Sequence, residues 1–194
     1  MRISLVLFLM IIFFSAAAQQ KDSTCTFKEI GWRVTVQADF QIADNQKAEE
    51  ATQRGLGMVK GATGVKGDIS HFKVLVYAKN SPGNMFQASL EDFARGSDSG
   101  LRKTMKHVKD VLYTTIAKEI PTSALDSISS IQEIDGMSFD KFDLKITLEG
   151  RGEAHTIMLS KYYKGYDFGI TYSYINDSIK QEIETMLQNS KFDK

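Results

Sequence analysis

With a single cysteine, Cys25, the 194-residue chain cannot form an internal disulfide, so its fold has to be held by a packed core. Cys25 itself reads as a thiol near the start of the mature chain with no role. Histidine is scarce too: His71, His107 and His155 fall in three different predicted elements. No H-E-x-x-H occurs, and one cysteine cannot supply C-x-x-C, so a Cys-based metal site is excluded by count. No calcium loop of alternating Asp and Asn is present, and Asp135, Asp140 and Asp143 read as turn and surface acids. A nucleophilic triad has no G-x-S-x-G elbow to announce it; only tertiary folding would bring His155, which reads as a solvent-facing strand residue, to a serine. No cofactor is expected. Neither sign of charge dominates, with 24 basic and 24 acidic residues. Nucleic-acid backbone binders are usually distinctly basic, so this balance argues against nucleic acid as partner. The one basic cluster, Arg102, Lys103, Lys106 and Lys109, reads as the solvated side of a helix.

The longest apolar run, residues 5–14, falls well short of the about 20 residues needed to span a bilayer. It fits the about 7–15 residues of a signal h-region, with Arg2 before it and an A-x-A pattern at Ala16 and Ala18 behind it. Residues 1–18 therefore read as a secretory signal peptide. No cysteine directly follows the cleavage point and Cys25 lies too far downstream, so the lipid-anchor pattern is missing. Cleavage leaves residues 19–194, an exported chain in the periplasm or outside the cell, with no transmembrane segment. Its length lies in the range of about 100–200 residues usual for one domain. A single domain is expected.

Along that domain, residues 21–24 read as loose, and Trp32, Val34 and Val36 alternate with Arg33 and Thr35 as in a half-buried strand. Ala48, Ala51 and Leu56 are spaced for a weak helix over 44–56, which Gly55, Gly57, Gly61, Gly64 and Gly67 then break into a loop. The glycines do not complete G-x-G-x-x-G, because Lys60 stands where the third would be. Residues 71–79 form a nearly continuous apolar and β-branched run, as in a central strand covered on both faces. Ser81-Pro82-Gly83-Asn84 ends it as a turn.

Residues 99–120 carry the clearest helical stripe, Leu101, Met105, Val108, Leu112, Ile116 and Ile120, with Asp98 or Ser99 as cap and Pro121 as stop. The second half reads as an antiparallel meander. A strand over 128–134 leads to strict alternation at Phe142, Leu144, Ile146 and Leu148, a turn over 149–152, and a strand over 153–163. Lys164-Gly165 then turns the chain into Tyr166, Phe168, Ile170, Tyr172 and Tyr174. Ser178 and Gln181 suit a capping box for a last helix with the stripe Ile179, Ile183, Met186 and Leu187. Asn176-Asp177-Ser178 also matches the N-x-S acceptor pattern, although capping is its expected use. These elements make an α+β fold, an antiparallel sheet flanked by helices.

The stretches 75–80 and 84–89, with Tyr172 to Asn176 and Ser190-Lys191-Phe192, resemble small exported bacterial proteins of the PsbP-like fold. That resemblance implies an α/β/α sandwich and a binding or accessory module rather than an enzyme. The expected surface for a partner or ligand is Asn80, Asn84, Phe86 and Ser89, in a loop after the central strand, with Tyr163 and Tyr166 from the hairpin tyrosines. Alternation puts about half of those tyrosines, Tyr162, Tyr163, Tyr166, Tyr172 and Tyr174, in the core. Three functions compete: engagement of a protein partner in the cell envelope, carriage of a small molecule or lipid between helix and sheet, and a hydrolase with a dispersed site around His155.

Overall fold

Two antiparallel sheets and three helices account for the computed structural model, which describes residues 21–63, 72–92, 97–121, 123–150 and 152–193. In chain order they are β1 (Ser23–Phe27), β2 (Trp32–Val36), β3 (Gln41–Ile42), α1 (Asn45–Thr63), β4 (Phe72–Ser81) and β5 (Asn84–Asp92). Then come α2 (Asp98–Glu119), β6 (Ser123–Ile134), β7 (Met137–Leu148), β8 (Gly152–Tyr163), β9 (Tyr166–Tyr174), α3 (Asp177–Asn189) and β10 (Lys191–Phe192). The proposed signal, with His71, Gly64 and Gly67, lies outside the described residues.

The larger sheet has seven strands in the order β3-β4-β5-β9-β8-β7-β6, and the smaller runs β1-β2-β10. Alternation drives the layering. On β9, Phe168, Ile170, Tyr172 and Tyr174 are buried together with Trp32, Val34 and Val36 of β2 and Ile179, Ile183, Met186 and Leu187 of α3. Trp32 meets Phe168 edge-on at 5.1 Å, an arrangement that adds to the area it buries. The helices α1 and α2 cover the opposite face of the large sheet, where Lys109 of α2 stands 4.6 Å over the Phe142 ring. Two hairpins close the meander with Asp135-Gly136 and Lys164-Gly165. Both residues of each turn have positive φ (48° and 80°, 50° and 87°), the I′ pattern whose twist matches the strands it joins.

Several expectations give way to packing. Residues 23 and 24 are strand, not loose chain, because β1 pairs along β2 and the Thr24 and Thr35 hydroxyls bond at 3.0 Å. The helix α1 runs on through Gly55, Gly57 and Gly61, where a break was expected. Each glycine costs about 1 kcal/mol against alanine, but α1 lies against α2 and β4, and Lys118 of α2 holds the Gly61 carbonyl at 2.6 Å. Strand β4 is buried at Val76, Tyr77 and Ala78, yet it sits one place from the sheet edge rather than at the centre. Residues 84–89 form strand β5, not a loop: Asn84, Phe86, Ala88 and Leu90 are buried in alternation. The caps also move. Ser97 caps α2, and Asn176 caps α3 by accepting from the Ile179 amide at 3.0 Å, so Ser178 lies inside the first turn and bonds Glu182 instead. Strand β6 starts at Ser123, five positions before the predicted start. Cys25 is half-buried against the core, which raises its thiol pKa, as suits an inert structural cysteine.

Candidate functional site

The two edges of the large sheet differ. At one end β3 is only two residues long, whereas β6 at the other end has 12 residues and pairs with β7 without a register shift. Long flat edges invite pairing with another chain, and proteins usually blunt them with lysine, proline or a bulge. The β6 sequence SALDSISSIQEI has no lysine, proline or bulge, and its two charges, Asp126 and Glu133, leave the stretch 127–132 uncharged. Residues 128–131 are exposed on both faces, Ile128 at 65% and Ile131 at 59%.

Register ties this edge to the interior. Directly opposed residues share a face, so one row runs Ile128, Asp143, Ile157, Tyr172, Phe86 and Ala78 from the open edge into the core. The next row on the same face is Asp126, Lys145, His155 and Tyr174. Between them opens a recess of about 140 Å³ lined by Asp126, Ser127, Ile128, Asp143, Lys145 and His155. Here His155 is half-buried, where a solvent-facing position was expected. Its Nδ1 lies 3.2 Å from Asp143 Oδ1 and its ring is stacked on Tyr174. Lys145 donates to Glu153 at 3.3 Å, whereas Asp126 has no ion-pair or hydrogen-bond partner among the described residues. Asp143 is thus no mere surface acid: it orients an imidazole.

Deeper along these rows, burial pushes the Tyr174 hydroxyl up to about 12 and that of Tyr172 higher still, with the carboxylates of Asp143 and Glu184 adding to both. The Tyr172 hydroxyl is buried without a hydrogen-bond partner among the described residues. On the helix-covered face, Ser160 donates to Asp167 at 2.8 Å, and burial raises Asp167 to about 6. No cluster of three metal-ligating side chains occurs among the described residues, and no described helix is long and apolar enough to cross a membrane.

The residues singled out from sequence do not converge. Asn80 donates to the Asp39 carbonyl at 3.2 Å. Asn84 is 2% exposed and ties the chain together, donating to Ser81 Oγ at 2.8 Å and accepting from the Ile175 amide at 3.0 Å. Phe86 is fully buried. Ser89 is half-buried opposite Gly169 on the helix-covered face, and Tyr163 and Tyr166 pack half-buried against the core, Tyr163 edge-on to Phe192 at 5.8 Å. Sequence reasoning missed the β6 edge, because strand order is a long-range pairing that no local spacing records. It also missed Asp167, which occupies a polar position of an alternating strand that a helix pair covers.

Neither a known protein family nor a curated protein matches the chain in sequence. In structure it is similar to cyanobacterial PsbP (CyanoP) from Synechocystis sp. PCC 6803, with a TM-score of 0.57 and 10% identity over 90% of this chain and 94% of that one. A protein from Bacteroides thetaiotaomicron VPI-5482 aligns with a TM-score of 0.45 and 11% identity over 91% of this chain and 49% of its own, about half its length. The fold is PsbP-like, as the sequence resemblance implied.

Proposed function

We propose that this chain is an exported accessory protein that acts by binding, and that an extended segment of a protein partner pairs with the open edge of β6. The observation that carries this reading is the open edge itself, 12 residues long, uncharged over 127–132 and with Ile128 and Ile131 exposed. An added strand gains main-chain hydrogen bonds along the edge and apolar contact at both isoleucines. Export rests on the signal-like residues 1–18. Small-molecule carriage fits less well: the recess between α1 and β4, lined by Ile42, Lys47, Arg54 and Tyr77 among others, holds about 260 Å³ and the one beside β6 about 140 Å³, both below the about 300–1,000 Å³ of drug-sized ligand sites. The expectation that Phe86 belongs to the partner surface is set aside, since a fully buried ring has no surface to offer.

A photo-reactive residue at position 131, in cells of the native host, tests it. The expected result is a cross-link to one extended segment of one protein, with a synthetic copy of that segment binding the purified protein and losing affinity for Ile131→Lys. Cross-links scattered over many proteins, or a segment that binds Ile131→Lys as well as wild type, would overturn the reading.

A further inference from the structure

Resting on that docking reading, we infer that the recess beside β6 receives a basic side chain, arginine above lysine, from the docked strand. Its surroundings carry more carboxylate than ammonium. Lys145 also lines the recess, but its ammonium is paired with Glu153 at 3.3 Å, so with Asp126 and Asp143 three carboxylates stand around one ammonium. Asp126 has no partner among the described residues, and Asp143 spends one oxygen on His155 at 3.2 Å. A guanidinium presents five N–H donors in a planar fork and stays charged, so it suits several acceptors set in different directions better than the point charge of an ammonium. The volume, about 140 Å³, suits one side chain.

Position follows from register. Asp126 and Ile128 lie on the face of the recess, and Ile131 lies on the other face. A strand added antiparallel to β6 therefore places an apolar residue opposite Ile131, a second one three positions later opposite Ile128, and the basic residue two positions after that opposite Asp126. The pattern is Φ-x-x-Φ-x-Arg, where Φ is apolar; a parallel strand carries its reverse.

Two peptides with threonine spacers, Val-Thr-Thr-Val-Thr-Arg and its reverse, are titrated into the purified protein and compared with versions carrying alanine for arginine. Charge-assisted hydrogen bonds predict about tenfold tighter binding of the arginine peptide. Asp126→Asn, at an exposed position where folding is unaffected, is expected to remove most of that preference while leaving the alanine peptide unchanged. Equal binding of arginine and alanine peptides, or a preference untouched by Asp126→Asn, overturns the basic-pocket inference. If both peptides then still lose affinity for Ile131→Lys, the docking reading stands without it. If no peptide binds in either direction, the docking reading fails and the pocket inference with it.

Discussion

His155 lies flat on Tyr174 across the β8–β9 pair, ring centroids 4.8 Å apart and planes 4° from parallel. The stack joins the half-buried recess to the core, since Tyr174 is 4% exposed and lies 6.4 Å from the Tyr172 ring. Removing the imidazole with His155→Ala takes away both the stack and the bond to Asp143. The expected loss is about 1–2 kcal/mol. His155→Phe keeps a flat ring and is expected to recover part of it, which urea denaturation of the three proteins would show. Equal losses in Ala and Phe would assign the whole effect to the Asp143 bond.

Alkali is expected to unfold the protein through the same tyrosines. Both hydroxyls titrate higher in the fold than the usual value of 10.0, Tyr174 near 12 and Tyr172 beyond it. The unfolded chain gives up these protons first, so their stabilising effect is complete below about pH 10 and is lost as pH rises through the folded values. Absorbance at the tyrosinate band is expected to rise in two stages, the later one coinciding with loss of circular dichroism. A single early stage would show that these phenols are not protected.

Asp167 works in the opposite direction to a paired carboxylate. Its folded value of about 6 lies above the ordinary 3.8, because burial opposes its charge more than the Ser160 hydroxyl favours it. Its contribution is therefore present below about pH 4 and lost as pH rises through about 6. Asp167→Asn removes the charge and is expected to stabilise the fold at pH 7.5 by about 1–3 kcal/mol, with the gain fading near pH 4. Denaturation curves at the two pH values check this; a gain that does not change with pH would point to packing rather than charge.

Phe86 and Asn84 are expected to behave as structural residues. Phe86→Ala empties a fully buried site and should cost about 3–5 kcal/mol. Asn84→Ala strands the Ile175 amide and the Ser81 hydroxyl at the β4–β5 turn, for about 1–3 kcal/mol. Thermal melts of both variants measure this, and a Phe86→Ala protein that melts like wild type would contradict its buried placement.

Periodicity carried most of the fold in the sequence. Where a helix or strand buries one face, the spacing of its apolar residues records that face, and so β2, β7, β9 and α3 were readable from Trp32, Phe142, Phe168 and Ile183 and their neighbours. Reading failed where the local signal opposed the packing. Glycines at 55, 57 and 61 argue for a loop, and only the contact with α2 and β4 holds them helical. Residues 84–89 carry turn-favouring Asn and Ser, and only pairing with β4 and β9 makes them a strand.

The sequence by itself determined that no internal disulfide supports this chain, that its charge is balanced and that its second half is a meander with turns at 149–152 and at Lys164-Gly165. These follow from counts and from interactions within a few residues. Only the tertiary structure decided that β6 is an edge, that Phe86 lies in the same row as Ile128 but at its buried end, and that His155 meets Asp143 and Tyr174. Strand order and register are long-range pairings, and they bring together side chains whose neighbourhood no local spacing records.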